Sequence, residues 1–287
     1  WERGKIAAQF AHFYVDPVLK GLKLPWPVKS PSWGKFYLAE NELIVEGELR
    51  EKDFQTEGNR YPLRGSYRVS WDKGKNVIIS AREFMSHFAR FNLEARLELG
   101  RKLEMEIKSE VADVEAGRLF LQDLLKKRWN FPAIRGQAEA RVKISGQPGS
   151  PEIQVRFEGS PFGFDRFEVK EASGEFCLAS GQFNGHFNFR DPELTGEAEV
   201  KAGPSGVSAF LAIKNGDWSK TLRGLGLNFP LKGKFEGPFR LFIDSRGNYS
   251  VRGEFLSPEM IFLGQAIRYA SGQIVYNEQA FSLKKFN

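Results

Sequence analysis

Apolar and charged residues alternate along most of this chain, and this alternation constrains the fold more than any other feature. From Phe91 to Leu99 the odd positions are Phe, Leu, Ala, Leu and Leu, while the even positions are Asn, Glu, Arg and Glu. After Gly100-Arg101 a second alternating run begins at Lys102. Successive side chains of a β-strand point to opposite faces, so the pattern predicts a hairpin with one apolar and one charged face.

Similar runs recur, separated by turn sequences at residues 72–75, 146–149 and 244–248. Roughly sixteen to twenty such segments predict an all-β fold with a few short helices, built around one long antiparallel sheet. We expect one face of this sheet to be a continuous apolar wall. The residues predicted to line it are Phe91, Leu93, Leu97, Leu103, Met105, Ile107, Ala140, Val142, Ile144, Ile153, Val155, Phe157, Phe235, Phe239, Leu241, Ile243, Tyr249, Val251 and Phe255.

Three segments depart from the period of two and predict helices. Residues 5–14 and 115–129 place apolar side chains three and four positions apart, and residues 217–222 begin with Asp217 as an N-cap. Each segment is short and adjoins alternating runs. We therefore interpret the three helices as caps on the sheet and not as sites for a partner.

A short motif occurs three times and indicates an internal repeat. An aromatic-Pro pair is followed by a basic residue and Gly at residues 61–65, 131–136 and 229–233, and each copy precedes an alternating run. Proline suits the first residue of a strand, where its missing N–H matters least. We predict a helical, proline-rich lead-in of residues 1–34, then a continuous β region over 35–287 with units starting near 61, 115 and 217.

Composition limits the possible functions. Hydrophobic residues make up 41% and charged residues 27%, which excludes wholesale disorder, and a net charge of +6 over 287 residues is too mild to indicate a nucleic-acid partner. The single Cys177 leaves the redox compartment open. The chain starts at Trp1 and stops in mid-pattern, so we expect a piece of a longer protein whose anchor or targeting signal lies elsewhere.

No catalytic pattern stands out. His12, His87 and His186 are far apart without metal-ligand spacing, and Cys177 lacks a local Cys-His signature. The carboxylates alternate with Lys or Arg on the predicted wet face, where His186 also falls. We therefore predict a protein that is not an enzyme and uses no metal or cofactor.

The order of these features resembles that of the AsmA-like and TamB (translocation and assembly module) family. The shared pattern is a short helix, an aromatic-Pro pair, a basic-Gly pair, a long alternating strand, Gly-x-x-x-x-Pro and another alternating strand. It is clearest over residues 121–153, recurs over 229–257, and extends across 35–287.

The resemblance implies a sheet curved lengthwise into an apolar-lined trough that carries phospholipid acyl chains between the inner and outer membranes of a diderm bacterium. It implies a periplasmic location in the cell envelope, with anchoring to the inner membrane through a further segment. The implied partners are a phospholipid or other acyl lipid, both membranes and an outer-membrane protein, with a role in outer-membrane biogenesis and no nucleic acid.

Two alternatives stay open. One is a carbohydrate-binding or carbohydrate-active β-solenoid with Trp33, Trp71, Trp129 and Trp218 as stacking platforms, although their places near strand ends favour core anchoring. The other is an outer-membrane β-barrel whose apolar face meets lipid, against which the dense Lys/Glu alternation and the interrupting helices weigh.

An open trough leads to a mutational expectation. Its wall residues would stay partly accessible, so a charge placed at Val142 or Leu241 should abolish lipid binding while the protein stays folded. The outward neighbours Arg141, Lys143 and Arg240 should tolerate charge reversal.

Overall fold

The computed structural model describes residues 6–14, 31–39, 41–50, 63–72, 76–86, 89–98, 102–111, 113–125, 134–147, 150–164, 167–224, 229–277 and 280–285. These residues form eighteen strands and two short helices. In chain order the elements are β1 (Ile6–Tyr14), β2 (Pro31–Leu38), β3 (Glu42–Leu49), β4 (Arg64–Asp72), β5 (Asn76–Met85), β6 (Ala89–Glu98), β7 (Lys102–Val111), α1 (Val114–Leu125), β8 (Ile134–Gln147), β9 (Ser150–Phe164), β10 (Phe167–Val169), β11 (Glu171–Ala179), β12 (Gln182–Arg190), β13 (Leu194–Gly203), β14 (Gly206–Asp217), α2 (Trp218–Gly224), β15 (Leu231–Asp244), β16 (Tyr249–Phe262), β17 (Gln265–Asn277) and β18 (Ala280–Lys284).

The strands form one open antiparallel sheet in which most sequence neighbours pair with each other, and β9 pairs in addition with β11. Each strand from β1 to β7 pairs with the next one along the chain. The same holds from β11 to β17, and the short β10 pairs with β9. The prediction of an all-β fold with a few short helices is confirmed.

The chain divides into two compact units. The first unit comprises residues 1–129 and 138–155, and the second comprises 130–137 and 156–287. The first unit contains β1 to β7, and the second contains β10 to β18 with α2. Strands β8 and β9 each contribute residues to both units.

In the first unit, strand register turns the alternating sequence into rows of apolar side chains. Leu93 of β6 lies opposite Ile107 of β7, which lies opposite Val142 of β8. The next row consists of Ala95, Met105 and Ile144. Paired residues of antiparallel strands share a face, so these rows form part of one apolar surface.

In the second unit, the core is formed by side chains of α2 and of strands β14 to β17. Its buried members are Trp218, Leu222, Leu231, Phe235, Phe239, Val251, Phe255, Met260, Ala270, Ile274 and Tyr276. Leu211, Ile213, Phe229, Leu241, Phe262 and Ile267 pack around them and are partly buried. We call this set the α2 cluster.

The helix predicted over residues 5–14 is wrong, because Ile6–Tyr14 form β1. The apolar spacing suggested a helix because the strand contains a bulge. His12 adopts a positive φ of 54°, and the register with β2 shifts between Phe10 and Phe13. A bulge adds one residue to a strand, which places Phe10 and Phe13 close together with ring centroids 5.6 Å apart.

The other two predicted helices are confirmed, with α1 ending at Leu125 within the described range. Asp113 precedes α1, and its Oδ1 accepts a hydrogen bond from the Ala116 amide at 3.1 Å. Asp217 caps α2 as predicted, because its Oδ1 accepts from the Lys220 amide at 3.0 Å.

The internal repeat stays a prediction. Residues 61–62 and 131–133 of the first two copies lie outside the described residues. Strands β4, β8 and β15 begin inside the three copies, no more than two residues after the proline of each. A Cβ added to Gly136 would meet the Pro161 carbonyl oxygen, and one added to Gly233 would meet the Glu259 carbonyl oxygen. Glycine is therefore required in the second and third copies for the same reason, the close approach of the next strand.

Candidate functional site

The predicted wall residues are mostly shielded from solvent. Six of them are half-buried, namely Phe91, Ile107, Ala140, Phe157, Leu241 and Ile243. Tyr249 lies on β16, but its side chain is outside the described part of the chain. Twelve are buried, namely Leu93, Leu97, Leu103, Met105, Val142, Ile144, Ile153, Val155, Phe235, Phe239, Val251 and Phe255.

Val142 and Leu241, the two positions at which a charge substitution was predicted to block lipid binding, differ in how deeply they are buried. Val142 is only 8% exposed, whereas Leu241 is half-buried. The expectation of partial accessibility therefore fits Leu241 and does not fit Val142. Their outward neighbours Arg141, Lys143 and Arg240 are all exposed, as the alternation predicted.

Three apolar rows cross the second unit at right angles to its strands. From β11 to β17 the first row is Gly174, Phe187, Ala198, Leu211, Phe239, Gly253 and Ile274. The second is Phe176, Gly185, Val200, Ala209, Leu241, Val251 and Tyr276. The third runs from β11 to β16 through Leu178, Phe183, Ala202, Val207, Ile243 and Tyr249.

No charged residue interrupts these rows. Seven strands spaced about 4.8 Å apart give each of the first two rows a length of about 29 Å. The second unit thus presents a continuous apolar path that crosses seven strands of its sheet.

Aromatic rings in and beside the rows lie against glycines of the neighbouring strand. A Cβ added to Gly253 would lie 2.1 Å from Phe239 Cδ1. The pairs in the second unit are Phe187 with Gly174, Phe189 with Gly196, Phe235 with Gly216, Phe239 with Gly253 and Phe255 with Gly272. A ring over a glycine fills the space of the missing side chain. These pairs account for five of the 26 Phe and five of the 29 Gly residues in the sequence.

Exposure changes along the rows. On β9, β11 and β12 the half-buried rings of Phe157, Phe162, Phe176, Phe183 and Phe187 form what we call the aromatic patch. Successive ring centroids in it are 5.0–6.3 Å apart. This part of the apolar face is more accessible than the part beneath α2.

Helix α2 covers the face over β14 and β15. Trp218 is 1% exposed and stacks on Phe235 with ring centroids 4.0 Å apart. It meets Phe255 edge-on at 5.0 Å. Two residues predicted to line the wall are thus in direct contact with the helix.

An ion pair attaches α2 to the turn between β12 and β13. Lys220 Nζ lies 2.7 Å from Asp191 Oδ1, and both side chains are largely buried. Burial opposes ionisation of Asp191, but hydrogen bonds from Lys220 and from the Glu193 and Lys170 amides outweigh it, so the pKa of Asp191 lies below its usual value. The pair therefore holds a charged carboxylate against the helix.

The opposite face is charged and exposed. Arg68 Nη1 lies 2.7 Å from Glu46 Oε1, and Arg156 Nε lies 3.0 Å from Glu175 Oε2. Such exposed pairs contribute little to stability individually. Their effect is to keep one face of each unit wet while the other face is apolar.

The tryptophans proposed as sugar platforms differ in environment. Trp218 is buried in the α2 cluster, and Trp33 is half-buried with the Arg50 guanidinium 5.0 Å from its ring centroid. Trp71 is exposed, and Trp129 lies outside the described residues.

The remaining candidate groups are dispersed. His186 is exposed, His12 packs against Trp33, and His87 lies outside the described residues. Cys177 is half-buried and is not part of a disulfide. Over the described ranges, no group of three or more His, Cys, Asp or Glu side chains is placed to hold a metal ion.

A polar cavity of about 250 Å³ lies on the first unit, lined by Asn76, Arg96, Glu98, Lys102 and Glu104. The Lys102 side chain donates a hydrogen bond to Glu104, which lowers the pKa of that carboxyl. Four of the five residues that line the cavity are charged, so the cavity does not fit an acyl chain.

Neither helix in the described part of the chain is long and apolar enough to span a membrane. Comparison with known proteins found no matching family model, curated protein or solved structure.

Proposed function

We propose that the apolar face binds the acyl chains of lipids, and that the sheet curves lengthwise so that this face lines a trough. The observation that carries this proposal is the set of uninterrupted apolar rows across β11 to β17. An acyl chain has no hydrogen-bonding groups. A wall without polar interruptions can therefore hold it at many positions with similar free energy.

The dimensions and energies agree with this occupant. The hydrocarbon core of a bilayer is roughly 30 Å thick, and one acyl chain spans about half of it. A row about 29 Å long is longer than that half, so a membrane acyl chain fits along one row. Burying each CH₂ contributes about 0.8 kcal/mol, so even loose contact with a long chain is favourable. The half-buried aromatic patch is the natural first contact, because less apolar surface must be uncovered there.

In this proposal the chain is a lipid-binding segment of a bridge-like lipid-transfer protein. In this role the protein is located in the periplasm, carries phospholipid between the inner and outer membranes, and catalyses no reaction. The sequence resemblance supports this cellular role, while the rows support the lipid-binding chemistry. Headgroups would remain in water beside the strand ends, where Lys170 and Arg190 are exposed.

The test pairs an inward with an outward charge on adjacent residues of β15. Leu241→Arg places a cation in the second row, whereas Arg240→Glu reverses a charge on the exposed face. Lipids that copurify with each variant are measured by native mass spectrometry. We expect wild type and Arg240→Glu to retain lipid and folded Leu241→Arg to lose it.

Two results would overturn the proposal. One is wild-type protein that binds no lipid from vesicles of bacterial phospholipid. The other is folded Leu241→Arg that binds as much lipid as wild type. Binding on a sugar array in either case would favour the carbohydrate alternative.

A further inference from the structure

Helix α2 contains two buried hydrogen-bonding groups without partners. Trp218 Nε1 and Thr221 Oγ1 are shielded from solvent and have no hydrogen-bond partner within the described residues. They are three positions apart, which places them on neighbouring turns of the same helix face. Buried polar groups in native proteins are nearly always hydrogen-bonded, so two unpaired groups on one face of a short helix require an explanation.

The surroundings of Trp218 are apolar. Its ring lies between Phe235 and Phe255, and the rest of the α2 cluster consists of aliphatic, aromatic and methionine side chains. The nearby cation Lys220 is already paired with Asp191. Apart from the Tyr276 hydroxyl, which bonds neither group, the side chains of the cluster carry no oxygen that could accept from them.

We propose that Trp218 Nε1 and Thr221 Oγ1 donate hydrogen bonds to the carbonyl oxygen of an acyl ester. This inference rests on the proposed function and names the chemical class that the face beneath α2 selects. A carbonyl oxygen has two lone pairs, so it can accept from both donors at once. The attached acyl chain would continue along the apolar rows of β15 and β16.

Other lipid chemistries fit this site less well. A hydrocarbon leaves both donors unpaired. A free carboxylate brings a charge into a cluster that has no unpaired cation to balance it. A sugar brings several hydroxyl groups into an apolar cluster, where most of their hydrogen bonds would stay unmet. A neutral acceptor without a donor, which describes an ester carbonyl, meets the needs of the two groups.

Entry of an ester requires α2 to move away from β15, because both donor atoms are covered. The helix has only seven residues, too few for stability on its own, so its position depends on its contacts. Besides packing and the Asp217 cap, the polar links that join the helix to the other described residues are the Lys220–Asp191 pair and a bond of 3.5 Å from Ser219 Oγ to the Leu231 carbonyl oxygen. A shift of a short helix held in this way is sufficient to expose the donors.

The test compares methyl palmitate with heptadecane as probes. Trp218→Phe keeps the ring and removes the N–H, and Thr221→Val keeps the shape and removes the hydroxyl. We expect the double variant to bind methyl palmitate about tenfold more weakly than wild type and to bind heptadecane equally well. Trp71→Phe, on the first unit, is the matched control and should change neither affinity.

A spectroscopic readout reports on the hydrogen bonds directly. Infrared spectra of methyl palmitate labelled with carbon-13 at the carbonyl should show a lowered stretching frequency in wild type. In the double variant the stretching frequency should return to its unbonded value. In the single variants Thr221→Val and Trp218→Phe it should lie between the wild-type and unbonded values.

The inference is overturned if wild type binds both probes but the double variant loses no preference for the ester, or if the bound carbonyl is unbonded in wild type. Failure of wild type to bind either probe would instead refute lipid binding itself, and this inference with it.

Discussion

Phe239 of β15 lies directly across Gly253 of β16, and its ring occupies the space in which any other residue at 253 would place a Cβ. The rings of this face are therefore positioned by the absence of a side chain on the neighbouring strand. A methyl group added at position 253 should therefore disturb the packing of this face without changing its polarity.

Gly253→Ala tests this relationship. The new methyl group would lie 2.1 Å from Phe239 Cδ1, so the ring must turn away and lose its packing. We expect the free energy of unfolding to fall by about 1–3 kcal/mol, measured by urea denaturation.

The matched control for that variant is Gly203→Ala, because a Cβ at Gly203 meets no atom within 4 Å. We expect a change of no more than about 0.5 kcal/mol there. Equal losses in the two variants would show that the ring does not depend on the glycine.

Val142→Asp and Leu241→Arg should behave differently, although both place a charge on the apolar face. Val142 is buried opposite Ile107, so an aspartate there leaves an unpaired charge out of water and should cost about 3 kcal/mol or more. Leu241 is half-buried, and an arginine can extend its aliphatic stem to bring its head to solvent.

Thermal melting distinguishes these two variants. Leu241→Arg should melt cooperatively close to wild type, and Val142→Asp should melt far lower or be unfolded. The outward reversals Lys143→Glu and Arg240→Glu should have little effect. A Val142→Asp protein as stable as wild type would place Val142 outside the packed region.

The Asp191–Lys220 pair should give stability that depends on pH. The pKa of Asp191 is lowered in the folded state, so its stabilisation is present above the unfolded value of about 3.9 and is lost as the pH falls through the folded value. A double-mutant cycle with Asp191→Asn and Lys220→Met should give a coupling free energy of about 1–2 kcal/mol at pH 7.

The same cycle measured at lower pH provides the check. The stability difference between wild type and Asp191→Asn should stay constant above about pH 5 and shrink below about pH 4. A difference that does not change with pH would mean that the carboxylate charge is not what holds α2.

Replacing all three histidines with alanine and Cys177 with serine should leave lipid binding intact. His186 is exposed and His12 packs against Trp33, so neither is placed among the apolar rows. The readout is lipid bound per folded protein. Loss of binding with the fold preserved would assign chemistry to one of the four residues and contradict the prediction of a non-enzymatic protein.

Much of the sheet could be predicted because its signals are local. Alternation identified the apolar and charged faces, and the turn after Asp244 fixes the hairpin register. Its Oδ1 accepts from the Arg246 and Asn248 amides. Once Ile243 is paired with Tyr249, the pairing of Phe239 with Gly253 follows by counting.

The pairing of β14 with β15 could not be obtained in this way. The helix α2 intervenes, so no turn fixes which residue of β15 faces Leu211. The contact between Trp218 and Phe235 and the pair of Asp191 with Lys220 depend on that long-range register. Both were therefore missed from the sequence, as were the unpaired groups of α2.

Sequential pairing has a consequence for how a sheet like this one changes length. Each strand from β12 to β17 is bonded only to its sequence neighbours in the described pairings, so stability there is close to a sum of neighbour terms. Loss of one hairpin, such as β12 with β13, would bring β11 beside β14 with antiparallel order and face preserved. Each row would shorten by two positions, or about 10 Å. Duplication or deletion of hairpins can therefore adjust the span of the apolar path in fixed steps, without redesign of the residues that remain.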